Sequence, residues 1–381
     1  MTRDLWRHSE AVIVAICVLA AVGCEPASVT PGDVSNAIID ARTALRRAAE
    51  DPDGLTRSHA IEAMAKVMPQ ESGVLFVQAL DDEKPVVRFA AALAVGETKY
   101  APAKDKLVAM ANDKKAEPDK RVLCAVIYAL DRLGEKSYNY ELANLLFDQD
   151  SPDARGNAAM VMGKMGEPSA IGPLKTLLVD EKDPAVQLTT YESLAILGDT
   201  RSQYLLEAYV RGPFQDLRLE AIPALAKVDS RRASYVLHGL LDNDKNPRVR
   251  VAAAWQLAEL GEMAESGYRL SVDAARNPQQ ITLDAYGGDR TKVKDVEVLS
   301  LQRLAAIALG TMKRTEAVGT LHRLLKSPDG GVRVAAAMAV IKLLGPNEKV
   351  APKPDQQSTP EQPKGEAPTT RPKLHIAPAR E

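Results

Sequence analysis

The sequence has few aromatic residues and few cysteines. Only 4% of its 381 residues are aromatic, although 45% are hydrophobic, which favours many small Ala, Leu and Val contacts over one bulky globular core. The cysteines are Cys17, Cys24 and Cys124. If the first two belong to an N-terminal targeting segment, Cys124 has no disulfide partner and is expected to be a small core residue.

The short motifs of common catalytic and metal centres are also missing. HExxH, CxxC, GxSxG and His-Glu pairs do not occur, and Gly287-Gly288 lies in no phosphate-binding motif. We therefore expect no catalytic residue, no metal and no cofactor, although clusters formed across repeats remain an alternative. The five histidines are dispersed, at His8, His59, His238, His322 and His375.

An excess of positive charge is absent as well. The formal net charge is −2 and the sequence pI is about 6.3. Nucleic-acid binding leaves a basic footprint, so no nucleic-acid partner is expected.

The N-terminal apolar run at 11–23 has thirteen residues. A helix that crosses a bilayer needs roughly 20, so this run has instead the length of a secretory signal. The segment Ala21-Val22-Gly23-Cys24 resembles a bacterial lipobox, which implies a signal peptide at 1–23 and lipidation of Cys24, followed by a short tether at 24–30. Glu25 slightly favours the outer membrane. Two alternatives remain: ordinary cleavage after Gly23, which releases a soluble protein, and no cleavage at all.

The sequence repeats one phrase many times. The phrase consists of a leucine-rich stretch, an Asp/Pro turn, and an Ala-rich stretch that begins with Arg and ends at Gly. A fixed period of this kind predicts a stack of helical units. The Arg-equivalent positions recur every 31–34 residues, at Arg88, Arg121, Arg155, Gln187, Arg218 and Arg250. The clearest copies are LANLLFDQDSPDARGNAAMVMGKMG (142–166), LKTLLVDEKDPAVQLTTYESLAILG (174–198), LHGLLDNDKNPRVRVAAAWQLAELG (237–261) and LHRLLKSPDGGVRVAAAMAVIKLLG (321–345).

Each half of the phrase predicts a helix. Leu142, Leu145 and Leu146 have the i, i+3, i+4 spacing of one apolar helical face. Pairs such as Asp183-Pro184 end one helix and begin the next, and a Gly such as Gly198 suits a helix C-terminus. One unit is therefore an antiparallel helix pair.

This phrase resembles HEAT repeats, most closely the short-period form of phycobilin-lyase-like proteins. The resemblance is carried by KPVVRFAAALAVG (84–96), NPRVRVAAAWQLAELG (246–261) and DGGVRVAAAMAVIKLLG (329–345). It implies an all-α, right-handed α-solenoid of about nine antiparallel helix pairs over 31–345. In such an array each unit contacts only its neighbours, and the two end units face water on one side.

The array is interrupted once and followed by a different segment. About twenty extra residues fall near 277–290, where an insertion is expected to form a loop on one face, either a binding loop or a neutral one. Residues 346–381 hold eight prolines and are predicted to be a disordered tail, either a solvated one or a docking segment. The candidate binding residues are Gln279, Gln280, Tyr286, Gly287, Gly288, Asp289 and Arg290.

An arginine recurs at the start of most second helices. One interpretation is a basic stripe that binds phosphate or an anionic polymer. The preferred interpretation, which the HEAT resemblance favours, is a structural ladder in which each arginine bonds turn carbonyls or acidic turn residues such as Asp82, Asp153 or Asp216. The predicted ladder residues are Arg88, Arg155, Arg218, Arg250 and Arg333.

These patterns favour a lipid-anchored scaffold of the bacterial cell envelope that binds a protein partner without catalysis. A soluble periplasmic or secreted module for a peptide or glycan is one alternative. A lyase-like enzyme or enzyme subunit is a second, and it depends on analogy of fold alone.

The Ala-rich stretches are expected to form the interfaces between units. Ala253→Asp would place a charge in such an interface and should lower the free energy of unfolding by several kcal/mol. Thermal unfolding measures this, and an unchanged midpoint would mean that Ala253 does not face the core.

Overall fold

A computed structural model describes residues 31–113, 117–228 and 230–345. These residues form helices joined by turns and short 3-10 segments, with no β-strand among them. The predicted signal peptide, Cys24, the tether and the proline-rich tail lie outside the described residues.

Nine antiparallel helix pairs account for all but one of the helices in the described residues, so the prediction of an all-α array of about nine pairs is confirmed. We call the first helix of each pair an A helix and the second a B helix. The A helices are α1 (Pro31–Ala48), α3 (Gly73–Ala79), α5 (Lys104–Asn112), α7 (Asn139–Leu146), α9 (Ile171–Asp180), α11 (Thr200–Val210), α13 (Ser230–Asn243), α15 (Glu265–Arg276) and α18 (Val318–Leu324). The B helices are α2 (Gly54–Val67), α4 (Pro85–Thr98), α6 (Lys120–Arg132), α8 (Pro152–Met165), α10 (Pro184–Ile196), α12 (Gln215–Val228), α14 (Pro247–Glu259), α17 (Asp295–Thr311) and α19 (Gly330–Leu344). The additional helix, α16 (Pro278–Ala285), lies between α15 and α17.

Helix α10 illustrates how the phrase sets the helix ends. The Asp183 carboxylate accepts hydrogen bonds from the backbone N–H groups of Ala185 and Val186, which have no partner within the first helical turn. Pro184 occupies the first helical position, where its missing N–H costs nothing. At the other end, Gly198 has a φ of 95°, a left-handed conformation that favours glycine.

The array closes on itself. Each B helix packs against the next one, and the last, α19, packs against both α1 and α2 of the first unit. The expectation that the two end units face water is therefore wrong for residues 31–345. The rotation between successive units accumulates over nine pairs, so that the ninth unit meets the first.

The B helices form the inner layer of this ring. Glu97 of α4 reaches Lys164 of α8 at 2.6 Å, although α6 lies between them in the array. Glu259 of α14 reaches Lys342 of α19 at 2.7 Å in the same way, past α17. Ion pairs between helices two positions apart require these helix ends to converge, as they do on the inside of a ring.

Small residues let the B helices approach closely. Ala253 is completely buried in α14. A Cβ added to Gly310 of α17 would lie 2.6 Å from the Cα of Ala339 in α19, closer than real Cβ contacts allow. The interfaces between units are thus built on backbone proximity, and large side chains do not fit there.

Arginines of the B helices join most of the units to the next one. Arg88 donates from Nη1 to the carbonyl oxygen of Asp82 in its own turn at 2.8 Å. Its Nε donates to a carboxylate oxygen of Glu117, in the turn of the following unit, at 2.6 Å. We call such an arginine and its two partners a rung. The other rungs between neighbouring units are those of Arg57–Asp82, Arg155–Glu181 and Arg218–Asp244. Arg303 makes the carboxylate bond alone, to Asp329.

Of the acidic partners that the sequence suggested, Asp82 belongs to a rung, with Arg57, but the other two do not. Asp153 and Asp216 belong to the turns of Arg155 and Arg218, whereas those arginines bond the carboxylates of the next turn. The reason is geometric: successive turns stack, and the far side of the guanidinium faces the next one. Arg250 differs again, since its Nε donates to the carbonyl oxygen of Leu241 at 2.9 Å.

The seam of the ring uses the same rung. Arg333 of the last unit donates from Nη1 to the carbonyl oxygen of Ser327 in its own turn at 2.9 Å. Its Nη2 donates at 3.1 Å to the carboxylate of Asp51, which lies in the first unit, 282 residues earlier. A second contact, between His322 Nε2 and Asp40 Oδ2 at 2.8 Å, joins α18 to α1. The first unit therefore follows the ninth as any other unit follows its neighbour.

A double-mutant cycle tests ring closure in solution. Because Asp51 and Arg333 are bonded, Asp51→Asn and Arg333→Gln should couple by about 0.5–3 kcal/mol in urea unfolding. The control cycle pairs Asp51→Asn with Arg155→Gln, which should add within about 0.5 kcal/mol. Additivity in both cycles would mean that the seam is open.

The rung at Glu181 predicts a dependence of stability on pH. Hydrogen bonds from Arg155 hold the pKa of the Glu181 carboxyl below its ordinary value of 4.5. Its contribution is therefore complete at neutral pH and is lost as the pH falls from about 4.5 through the lowered pKa. Glu181→Gln should be less stable than the parent at pH 7, and the difference should shrink towards pH 3, measured by urea unfolding across the pH range.

The matched control is Glu62→Gln, on an exposed position of α2. A difference between Glu181→Gln and the parent that stays constant from pH 7 to pH 3 would contradict the assigned role of this rung.

Candidate functional site

The extra residues near 277–290 form a helix and a tight turn, whereas the sequence analysis expected a loop. Pro278 begins α16, and the hydroxyl of Thr282 donates to the carbonyl oxygen of Pro278 at 2.8 Å. Gly287 and Gly288, both with positive φ, turn the chain away after the helix. Helix α16 packs against α14, α15 and α17, at the end of the ring where the B helices begin.

The five candidate binding residues other than the two glycines take different places in this segment. Gln279 and Gln280 are exposed, and Gln280 bonds Asp284 one turn further on. Asp289 accepts hydrogen bonds from Thr291 and caps the short 3-10 segment that begins at Arg290, which is exposed. Of the five, only Tyr286 lines the cavity described next.

A cavity of about 200 Å³ lies between α16 and the first turns of α12, α14 and α17. Three of its lining side chains are cationic and one is a carboxylate. It is lined by Gln215, Arg218, Lys245, Asn246, Pro247, Arg248, Thr282, Ala285, Tyr286 and Glu297.

Glu297 is the buried carboxylate of the cavity. Tyr286 donates its hydroxyl to Glu297 Oε2 at 2.8 Å, and Gln215 donates its amide to Oε1 at 3.4 Å. The hydrogen bond to Glu297 raises the pKa of Tyr286, so the hydroxyl stays protonated and continues to donate at neutral pH. The hydrogen bond between Gln215 and Glu297 thus joins residues that are 82 positions apart in the chain.

The guanidinium groups of the cavity keep unused donors. Arg248 is 9% exposed, yet its Nη2 reaches Asp216 only at 3.5 Å and Glu297 only at 3.7 Å. Its Nε and Nη1 make no hydrogen bond to any described residue. The Nε of Arg218 is buried and likewise has no partner there. Buried polar groups normally find a partner, so the Nε of Arg218 indicates a place for an added acceptor.

Comparison of the repeats would have pointed to Arg248. It stands two residues before Arg250, and the corresponding positions before the other ladder arginines hold Val86, Asp153, Asp216 and Gly331. Among the B helices, α6 also has an arginine as its second residue, Arg121, but only Arg248 lies next to the insertion. Comparison of the repeats would not have pointed to Glu297, because α17 begins earlier in its unit than the other B helices and its first turn has no counterpart in them.

An apolar groove of about 330 Å³ adjoins the cavity. The segment 212–218 separates them: Gln215 and Arg218 line the cavity, while Phe214 and Leu217 line the groove. Phe214 is 68% exposed, which is high for an aromatic side chain in a protein with few of them. The other lining residues of the groove are Pro184, Ala208, Tyr209, Gly212 and Pro213.

Other reactive side chains have ordinary surroundings. Cys124 is fully buried, and burial raises the pKa of its thiol to about 12, so it is not a reactive thiolate. His238 bonds Glu262 on the surface. No group of three or more His, Cys, Asp or Glu that could hold a metal ion occurs among the described residues. In the same part of the chain, no helix has both the length and the apolar character needed to cross a membrane.

The family model for HEAT repeats matches the chain in four overlapping segments, residues 41–127, 114–195, 139–212 and 202–274, which together cover more than half of it. A search of curated proteins finds no match.

Three solved structures are similar in part. The complex of CpcE and CpcF of phycocyanin lyase from Nostoc is 19% identical, with a TM-score of 0.41, and covers 60% of this chain and 91% of that one. Human deoxyhypusine hydroxylase is 15% identical, with a TM-score of 0.35 and coverage of 82% and 99%. The Escherichia coli protein YibA is 16% identical, with a TM-score of 0.27 and coverage of 82% and 95%. Similarities at this level give no argument about activity.

Proposed function

The chain belongs to the HEAT-repeat family, and on this premise we propose that it is a non-catalytic scaffold that binds a protein partner through the surface of its ring. HEAT repeats generally mediate protein interactions. A stack of rigid helix pairs holds its surface side chains in fixed relative positions, which reduces the entropy lost on binding.

The observation that carries this proposal is the single departure from the repeat. Helix α16 and the first turns of α12, α14 and α17 together form a cavity with unused guanidinium donors, and an exposed apolar groove adjoins it. Aromatic anchors next to arginines are typical of protein interfaces. This combination favours a protein partner over a glycan.

We further propose that the protein is attached to the bacterial cell envelope through a lipid on Cys24. The support is the apolar run at 11–23 and the Ala21–Cys24 segment, both of which lie outside the described residues. An outer-membrane location is favoured by Glu25. Release as a soluble periplasmic or secreted protein is the alternative.

The proposal is tested by capturing partners from cell-envelope extracts with the full-length protein. Phe214→Ala and Tyr286→Ala should each reduce the recovery of a specific partner by about tenfold, since hot-spot side chains contribute roughly 1.4 kcal/mol or more. The matched control is Tyr235→Ala, an aromatic side chain that is 78% exposed on α13 and lies outside both the cavity and the groove. Recovery that is equal in all three variants would contradict a partner site at α16.

The same preparation tests the anchor. Palmitate labelling of the full-length protein should disappear in Cys24→Ala, with Cys124→Ala as the control cysteine. Labelling that does not depend on Cys24 would exclude the lipid anchor, whereas partner recovery could still succeed.

A further inference from the structure

We propose that the cavity beneath α16 binds the C-terminal carboxylate of a peptide segment, with Arg248 as the residue that holds it. The inference rests on the proposed function, because it names the chemistry by which a protein partner is recognised. It also assigns a role to guanidinium donors that the ring itself leaves unused.

Arg248 has the geometry of an anion-binding residue. A guanidinium that forms a structural ion pair makes short bonds, as Arg88 and Arg155 do with their carboxylates at 2.6 Å. Arg248 is about as buried, yet its nearest carboxylate oxygens are 3.5 and 3.7 Å away. Its Nε and Nη1 have no partner among the described residues, and its Nη2 is bonded only at long distance. Paired with Nη2, either of them can bind a carboxylate in two parallel hydrogen bonds.

One cation of the cavity has no carboxylate partner. Arg218 is paired with Asp244, and Arg248 is shared between Asp216 and Glu297 at longer distances. Lys245 is exposed at the rim, and no ion pair involving it occurs in the described part of the chain. The buried, unpartnered Nε of Arg218 adds a donor on the same side. An anion would therefore meet the unpaired charge of Lys245 at the rim and guanidinium donors that are in place before it arrives.

The charge of Glu297 limits which anion fits. Its carboxylate is fixed by Tyr286 and Gln215, so it cannot move away from an incoming ligand. A phosphate dianion would be repelled more strongly than a carboxylate, which has one negative charge and a planar shape that matches the guanidinium. We therefore assign the cavity to a carboxylate.

The apolar groove indicates the source of this carboxylate. It begins at Phe214, the residue next to Gln215 of the cavity, and provides apolar walls at Tyr209 and Leu217. A free small acid such as acetate would leave this groove empty. A peptide C-terminus fills both places, with its carboxylate at Arg248 and an apolar side chain on the groove.

Saturation-transfer NMR with the full-length protein tests the assignment, because it detects weak ligands. The probes are acetyl-Ala-Leu-Phe with a free carboxylate, the same peptide with a C-terminal amide, acetate and inorganic phosphate. The free-acid peptide should bind at least about tenfold more tightly than its amide, which corresponds to one charge-assisted contact. Acetate should compete with it weakly.

Single substitutions distinguish a loss of binding in the cavity from a loss of folding. Arg248→Gln should weaken binding of the free-acid peptide by about tenfold or more, and Lys245→Gln, at an exposed position, should weaken it by about threefold without affecting folding. The control is Arg121→Gln, because Arg121 holds the same second position of helix α6 that Arg248 holds in α14, and it pairs with Asp119 outside the cavity. Arg121→Gln should bind as the parent does.

Each other outcome overturns a defined part of the proposal. Equal binding of the acid and amide peptides, or unchanged binding by both Arg248→Gln and Lys245→Gln, would overturn the carboxylate site. Binding of acetate with no gain for the peptide would overturn the peptide source. Stronger binding of phosphate than of the acid peptide would overturn the choice of anion. Carboxylate binding without recovery of any envelope partner would instead count against the proposed function alone.

Discussion

The arginine rung between successive turns is the interaction on which the architecture depends. Each rung satisfies carbonyl oxygens of its own turn and fixes the position of the next turn through a carboxylate. One arginine side chain therefore contacts both its own turn and the next one. Because its guanidinium is planar and rigid, it fixes the angle between the two units. Because Arg333 forms the same rung with Asp51, the geometry that builds the stack also closes it.

Most of the architecture can be predicted from the sequence, because the period, the Pro-led helix starts and the terminal glycines each have a local physical cause. Closure of the ring cannot be predicted in this way. It depends on the sum of nine small rotations, and a change of a few degrees in each would leave the seam open. The contact of His322 with Asp40 has no local signal, since 282 residues separate them.

The candidate site, like the fold, could be predicted from the sequence only in part. The insertion was visible as a break in the period, and Tyr286 within it lines the cavity. The residues opposite, such as Gln215 and Arg248, belong to two earlier units and reach the cavity because B helices two positions apart converge. Sequence separation hides such contacts, whereas comparison of the B-helix starts would have shown an arginine, Arg248, beside the insertion. Gln279 and Gln280, chosen for their place in the insertion, lie on its exposed surface.

Closure also decides how the protein would carry a mechanical load. Helices α1 and α19 run antiparallel. Asp51, which follows α1, contacts Arg333 near the start of α19, and Arg42 of α1 lies near the end of α19. Residues 31 and 345 therefore lie towards the same end of this helix pair. The segments that precede and follow the ring therefore leave it at the same seam. Tension between them would pull on the contact of α1 with α19, and the other interfaces of the ring, together with the cavity beneath α16, would stay unloaded.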